Sequence, residues 1–203
     1  MFMELKGLLR QLTYLRTTVR MGHVKGAKAW LYFIYYALFR LNRFRILRIK
    51  VDEIKPAKVE LPGISFSSLE ADELDTFRNP DFPREFFCDR FHKVHNCCIA
   101  RFDGVPAYIH WIYYRGDFSR FLKLGEDCAE INYVLTLPQY RGHGISTAAF
   151  SYSIQSLKEQ GISNVFAVVH EENTASLKSF LKAGFRDVGS TCSFGLFNRK
   201  VSV

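Results

Sequence analysis

Residues 128–184 alternate twice between a strand pattern and a helix pattern, and this order restricts the fold more than any other feature of the chain. "CAEINYVLTL" (128–137) and "NVFAVVH" (164–170) are rich in strand-forming residues. A helix pattern follows each of them, at 145–160 and at 173–184. A strand that is apolar along nearly its whole length, as 164–170 is, typically lies at the centre of a sheet. The order predicts a mixed α/β fold.

The residues before this unit predict shorter elements that extend the same sheet. Strand patterns at 97–102 and 106–114 flank Asp103-Gly104, a pair that favours a tight hairpin turn. Three further patterns predict a strand at 58–69, an acidic helix start at 70–77 and a proline-opened helix at 83–95. Two short strands, "FRDVG" and "TCSFGLF", are expected near the C-terminus.

Residues 1–50 differ from the rest of the chain in charge. They hold eleven Lys or Arg residues and one acid, Glu4, so they carry +10, and the other 153 residues carry −2 of the total of +8. A solvated helix face and an anionic partner of this segment both explain the basicity. We expect a mostly helical extension over 1–57 and a second domain over 58–203, although 44–51 also alternates as a strand would.

The aromatic run "AWLYFIYYALF" (29–39) is too short to cross a membrane, which takes ~20 apolar residues. It also lacks the features of a signal peptide. The five cysteines form no C-x-x-C pair, which favours a reducing compartment. We therefore expect a cytoplasmic protein whose aromatic, arginine-rich segment contacts the inner face of an anionic membrane.

The stretch "PQYRGHGIST" (138–147) joins a strand to a helix through two glycines. An ordinary strand-to-helix turn explains it, and so does a cradle for a phosphate. In the second case the N–H groups of 141–145 face outward at a helix N-terminus, where the peptide dipoles favour an anion. The chain has no Gly-Lys-Ser/Thr here, so this is not a P-loop.

Together with its surroundings, this turn resembles the acyl-CoA-binding segment of the GNAT acetyltransferase superfamily. Gln139, Gly142 and Gly144 match the family loop Arg/Gln-x-x-Gly-x-Gly/Ala. A second family signature follows in "VVHEENTASLKSFLKAGFRDVG", whose helix starts at Asn173. The resemblance covers roughly 58–200 and implies the GNAT fold, a mixed central sheet flanked by helices.

The resemblance also implies how acyl-CoA, expected to be acetyl-CoA, is bound. The strands at 128–137 and 164–170 splay apart, and the acyl-CoA lies in the gap with its diphosphate on the glycine turn. Val134 is implied to polarise the thioester carbonyl with its backbone N–H. The implied cofactor-binding residues are Val134, Thr136, Gln139, Arg141, Gly142, His143, Gly144, Ile145, Ser146 and Asn173.

Glu130 is the first candidate for the general base that an attacking amine needs. It lies four residues before Val134, where some family members carry this base. Strand alternation predicts Glu130, Asn132 and Val134 on one face and Ala129, Ile131 and Tyr133 on the other. A structural carboxylate is the other interpretation of Glu130, and His110 and Tyr113 are the alternative bases.

One residue departs from the family pattern. Many members place a tyrosine seven residues after the helix-starting Asn, where it protonates the leaving thiolate, and this chain has Phe180 there. Either another group of the protein protonates the leaving thiolate, or the thiolate leaves without a proton donor. The chain is thus expected to transfer an acyl group directly to an amine within a ternary complex. The alternative is a catalytically silent acyl-CoA-binding module.

The acceptor is expected to bind between residues 70–95 and the aromatic hairpin around Trp111 and Tyr113. An envelope-glycan precursor or a lipid-linked amine is the hypothesis that the membrane-facing segment suggests. No metal is expected, because His92 and His95 lack a third ligand. No nucleic acid is expected either, and the sequence leaves the oligomeric state open, with a homodimer as one option.

Overall fold

The computed structural model describes residues 41–54, 61–194 and 197–203, together with Leu31 and Tyr35. The strands are β1 (Leu41–Lys50), β2 (Ile64–Glu70), β3 (Asn96–Phe102), β4 (Val105–Tyr113), β5 (Leu122–Lys123), β6 (Cys128–Thr136), β7 (Asn164–His170), β8 (Arg186–Phe194), β9 (Phe197–Asn198) and β10 (Val201–Ser202). The helices are α1 (Ala71–Leu74), α2 (Cys88–His92), α3 (Ile145–Glu159) and α4 (Thr174–Lys182).

Eight strands form one mixed sheet in the order β2-β3-β4-β6-β7-β1-β8-β9, and β5 and β10 form a separate parallel pair. Neighbours in the main sheet are antiparallel except β6 and β7, which are parallel. The mixed sheet flanked by helices confirms the fold class expected from the sequence.

Strand β1 lies inside the sheet, between β7 and β8, and runs antiparallel to both. Its Ile46 and Leu47 are buried on opposite faces. Because both edges of β1 are paired, the strand pattern at 44–51 prevails over the helical one. The sheet therefore starts before the boundary expected near residue 57, while most of residues 1–40 lie outside the described part of the chain.

The ion pairs of Arg45 show that part of the basic N-terminal segment belongs to this sheet. Its guanidinium lies 2.9 Å from the Asp187 carboxylate on β8 and 3.2 Å from the carboxylate of Glu171. Arg45 is thus neutralised locally. Of the aromatic run at 29–39, the structure describes Leu31 and Tyr35, which are helical and exposed.

Two apolar cores pack against the two faces of the sheet. Helices α3 and α4 cover the first, which we call the α3 face. Helices α1 and α2, with the segments that carry β5 and β10, cover the second, which we call the α2 face. The helix expected over 83–95 is shorter than predicted: a 3₁₀ turn at Arg84–Phe87 precedes α2, and Lys93 ends it with a φ of 53°. This left-handed residue cannot continue a right-handed helix.

Candidate active site

Strands β6 and β7 separate after a short stretch of pairing. Their parallel ladder joins Cys128 to Asn164, Ala129 to Val165 and Glu130 to Phe166, and it ends there. Beyond Glu130, β6 remains paired with β4 on its other side. A gap therefore opens between the carboxyl-terminal halves of β6 and β7, as the resemblance implies, and Glu130 lies at the point where the strands diverge.

A β-bulge in β6 lies beside this gap. The register between β4 and β6 shifts between Ile109 and Trp111, so β6 contains one extra residue. Within this stretch Tyr133 has a φ of 50°, a left-handed conformation that is rare for a residue other than glycine.

The bulge makes the expected alternation of β6 wrong beyond Asn132. Tyr133 packs with the core of the α2 face, which Glu130 also faces, and Val134 packs with the core of the α3 face. The alternation expected from the sequence placed Val134 on the face of Glu130 and Tyr133 on the opposite face. The extra residue shifts the period of two by one position, and this exchanges the faces of the residues that follow.

The direction of the Val134 N–H follows from strand alternation between the bulge and Leu137. The N–H of Leu137 donates to the Ala107 carbonyl on β4 at 2.9 Å. Hydrogen-bonding direction alternates along a strand, so the N–H of Val134, three residues earlier, points to the opposite edge. The Thr136 carbonyl shares that edge and accepts a 3.1 Å hydrogen bond from Arg141 Nε. By this argument the backbone groups of Val134 and Thr136 are expected to line the gap.

The glycine turn leaves open space and free donors at the start of α3. Gly142 and Gly144 have φ values of 85° and 75°, and a Cβ at either would meet nothing within 4 Å. The Ala148 N–H makes the first helical hydrogen bond, to the Gly144 carbonyl at 3.1 Å, and no side chain caps the helix there. The N–H groups of Ile145 and Ser146 therefore lack helical partners, and the helix dipole favours an anion beside them.

The remaining predicted residues surround this turn or face it. Gln139, Arg141 and His143 are exposed, and the His143 ring lies 3.3 Å from the carbonyl of Tyr140. The side chain of Ser146 contacts α4, where its hydroxyl lies 3.5 Å from that of Ser179. His143 thus contacts the turn itself, and Ser146 contacts α4.

Asn173 is the N-cap of α4. Its Oδ1 accepts a hydrogen bond from the backbone N–H of Ser176 at 3.2 Å. The cap uses the side-chain oxygen alone, so it is compatible with the predicted role of the Asn173 amide as a donor to acyl-CoA.

The carboxyl group of Glu130 is fully buried on the α2 face. Asn132 Nδ2 donates to its Oε1 at 3.1 Å, whereas Oε2 has no hydrogen-bond partner within the described residues. Burial raises the pKa of Glu130 to about 7, against the opposing effects of Ser119, Asn132 and the positive charge of Lys200. A carboxyl group that is half ionised near neutral pH suits proton transfer.

Aromatic rings adjoin Glu130 on the same face. Tyr133 stacks on His92 at a centroid distance of 4.6 Å, and the Tyr113 ring lies 6.4 Å from that of Tyr133. Burial, assisted by the charge of Arg84, lowers the pKa of His92 to about 4, so its ring is neutral at neutral pH. The two segments expected to bind the acceptor therefore meet at Tyr133.

Sequence reasoning did not find the contact between Tyr133 and His92, because the contact depends on the bulge. The one signal in the sequence is the run Tyr133-Val134-Leu135, in which three apolar residues interrupt the alternation of β6. Such a run is also typical of a buried regular strand, so it does not identify a bulge by itself.

The two alternative bases lie on opposite faces of the sheet. Tyr113 is the register partner of Glu130 and shares its face. His110 is fully buried on the α3 face, 2.8 Å from the Tyr108 hydroxyl and 3.0 Å from that of Ser153, and burial lowers its pKa to about 3. A cavity of about 130 Å³ adjoins Ser153 beneath the second half of α3. His110 therefore belongs to a buried network away from Glu130.

Phe180 and Cys128 are both buried. Phe180 is buried in the α3 face and stacks on Phe150 at 4.3 Å. Cys128 is a buried free thiol. Among the described residues, no group of three or more His, Cys, Asp or Glu side chains is arranged to hold a metal ion. Nor does any helix in this part of the chain have the length and hydrophobicity to span a membrane.

Comparisons with known proteins agree with this architecture. The model of the acetyltransferase (GNAT) family matches residues 65–185. No curated protein matches the chain significantly. Similar solved structures include a protein assigned to the GNAT acetyltransferases from Novosphingobium aromaticivorans (18% identity, TM-score 0.51), which aligns with 75% of this chain and 63% of its own.

Two other similar structures have comparable scores. One contains a fungal glucosamine N-acetyltransferase region within a multidomain β-N-acetylglucosaminidase (16% identity, TM-score 0.59, 83% of this chain and 23% of that one). The other is a GCN5-related N-acetyltransferase from Kribbella flavida (13% identity, TM-score 0.53, 79% and 60%). The chain thus spans less than two thirds of each of the three, and at these identities the similarity establishes the fold.

The family match extends from β2 to the residue before β8. It therefore includes the diverging strands, the glycine turn and the helix that starts at this turn. A match over more than half of the chain establishes membership, and the protein belongs to the GNAT acetyltransferase family.

Proposed function

We propose that the protein transfers an acyl group, by default acetyl, from acyl-CoA to the amine of an acceptor. One observation carries the proposal: the gap between β6 and β7 has a buried carboxyl group at its closed end and unpaired helix donors beside its open end. A thioester in the gap would then lie between a proton acceptor and a cradle for its diphosphate.

The described residues fit acyl-CoA. The open space beside Gly142 and Gly144 accommodates a diphosphate close to the backbone, where the first N–H groups of α3 are free to donate. The unpaired edge of β6 offers backbone groups to the amide-containing pantetheine arm, and Asn173 offers its amide. When bound, acyl-CoA supplies an acyl group activated as a thioester.

Two groups of the chain would assist the transfer. Glu130 accepts the proton that the acceptor amine must lose, and its pKa of about 7 leaves it ionised in half of the molecules at neutral pH. The backbone N–H of Val134 donates to the acyl oxygen as negative charge develops on it. Phe180 cannot protonate the thiolate, so the departing thiolate leaves unassisted or takes its proton from solvent.

The proposal is tested by measuring binding and turnover separately. Calorimetry with CoA and acetyl-CoA reports binding, and release of free thiol over a panel of amines reports transfer. Binding together with amine-dependent thiol release supports the proposal. Binding without release from any amine would instead indicate an acyl-CoA-binding module, and lack of CoA binding would refute both functions.

For the acceptor, we propose an amine presented at an anionic membrane surface, such as an envelope-glycan precursor or a lipid-linked amine, and a cytoplasmic location. The support is the basic and aromatic composition of residues 1–40. Because deleting residues 1–50 would remove β1 from the sheet, the test uses the full-length protein. The protein should sediment with phosphatidylglycerol vesicles and much less with phosphatidylcholine vesicles. The double substitution Arg16→Glu and Arg20→Glu should weaken its sedimentation with phosphatidylglycerol vesicles. Equal sedimentation with both vesicles would refute the membrane hypothesis.

A further inference from the structure

The side chain of Asn132 connects the buried carboxyl group to the bulge. Its Nδ2 donates to Glu130 Oε1 at 3.1 Å, and its Oδ1 accepts from the backbone N–H of Tyr133 at 2.8 Å. The two ends of one planar amide thus bind two different features of the site. A movement of either feature would be transmitted to the other through this amide.

The bond to Tyr133 compensates for the irregular backbone. A left-handed φ costs roughly 1–2 kcal/mol for a residue with a Cβ, and such a conformation persists only where neighbouring contacts hold it. At the bulge the regular ladder between β4 and β6 is interrupted. Asn132 Oδ1 supplies an acceptor for the Tyr133 N–H at that point, next to Val134.

The bond to Glu130 restricts the rotation of its carboxyl group. With Oε1 held by Asn132, the direction of Oε2 is determined, and Oε2 is the oxygen that has no partner among the described residues. Asn132 therefore leaves the second oxygen of Glu130 free to accept a proton.

We propose that Asn132 is a positioning residue that couples the orientation of the Glu130 carboxyl group to the backbone of the β6 bulge. This inference rests on the proposed acyl transfer, in which Glu130 accepts a proton and Val134 N–H stabilises the acyl oxygen. It goes beyond that function by assigning the alignment of these two groups to one side chain.

The groups around Glu130 determine how a substitution of Asn132 should change the titration of Glu130. Lys200 from the C-terminal segment is the charged neighbour, the Ser119 hydroxyl is a neutral neighbour that favours the ionised form, and Tyr113 is the titratable register partner on β4. Asn132→Asp keeps an acceptor for the Tyr133 N–H but removes the donor to Glu130 and places a second carboxyl group beside it. Two adjacent carboxyl groups share a proton, so the apparent pKa of the pair rises.

The first test is Asn132→Asp. The acid limb of kcat/KM against pH should move upward by about one pH unit or more, while the KM for acetyl-CoA stays within about twofold because the bulge is retained. Asn96→Asp on β3 is the control for adding a carboxylate to the sheet, and its dependence of kcat/KM on pH should match that of the native protein. A native acid limb in Asn132→Asp would overturn the proposal.

The second test does not depend on turnover. Carbon-13 NMR of the Glu130 carboxyl group should show the same upward shift of its titration in Asn132→Asp. In Asn132→Ala the Tyr133 amide should exchange with solvent at least about tenfold faster than in the native protein, since its acceptor is lost. A native titration of Glu130 in Asn132→Asp, or native exchange of the Tyr133 amide in Asn132→Ala, refutes the coupling. A native protein without turnover, but with both NMR effects, would refute acyl transfer and leave the coupling standing.

Discussion

Replacing Glu130 with Gln should make the protein more stable at neutral and alkaline pH. Burial raises the pKa of this carboxyl group from an ordinary 4.5 to about 7. A difference of about 2.5 pKa units between the folded and unfolded states corresponds to roughly 3 kcal/mol of unfolding free energy. The native protein bears this cost when the buried group is ionised, and Gln does not.

The direction of the pH dependence follows from proton binding. Between about pH 4.5 and pH 7 the folded state keeps a proton on Glu130 that the unfolded chain releases. The contribution of Glu130 to stability is therefore present at acid pH, falls by about 1.4 kcal/mol for each pH unit as the pH rises, and levels off above about pH 7. A glutamine has no such dependence.

Urea unfolding of the native and Glu130→Gln proteins across about pH 4 to pH 8.5 measures this difference. The gain in unfolding free energy should be smallest near pH 4 and reach a plateau of about 3 kcal/mol above pH 7. Glu159→Gln at the exposed end of α3 is the control, and its effect should change little over the same range. A gain from Glu130→Gln that does not vary with pH would refute a buried, titrating carboxyl group.

The same variant tests the role of Glu130 in transfer. In the native protein, kcat/KM should rise tenfold per pH unit below about pH 7 and then level off. Glu130→Gln should lose this limb and about 10² to 10⁴ in rate. An unchanged profile would assign the base to another group, and Tyr113 shares the required face.

Three further predictions concern the turn, the first strand and the buried network. Gly144→Ala and Gly161→Ala both place a Cβ at a positive φ at an end of α3, so each should cost roughly 1–2 kcal/mol of stability. Calorimetry should find weaker CoA binding in Gly144→Ala alone, because only Gly144 belongs to the glycine turn. Leu47→Ala should cost about 2–5 kcal/mol in urea unfolding and Leu41→Ala little, since Leu47 is 1% exposed and Leu41 is 52% exposed on the same strand. Tyr108→Phe should cost about 1–3 kcal/mol by leaving Nδ1 of His110 without its hydrogen-bond partner, while the Ser153 contact with Nε2 remains and the pH profile of kcat/KM stays native.

Elements with a strong local pattern could be predicted from the sequence. Strand β7 has the predicted bounds, and α3 starts at the predicted residue after its glycine turn. The Asn173 cap and the hairpin at Asp103-Gly104, with φ values of 47° and 85°, also follow from their residue types. These features depend on a few neighbouring residues, so the chain specifies them locally.

Features that join distant residues required the tertiary structure. The segment 44–51 has both a helical and a strand interpretation, and pairing with β7 and β8, more than a hundred residues away, decides for the strand. The bulge at Tyr133 arises from the register between β6 and β4, which a period of two cannot reveal.

The sequence alone determined the family and the glycine turn, because motifs depend on residue type and spacing along the chain, and the family resemblance implied the candidates Glu130 and Val134. Only the tertiary structure decided that β1 completes the sheet, that Tyr133 faces His92, and that Glu130 is buried deeply enough to titrate near neutral pH. The physical reason is that burial and strand register are properties of packed neighbours. Local patterns do not encode which neighbours those are.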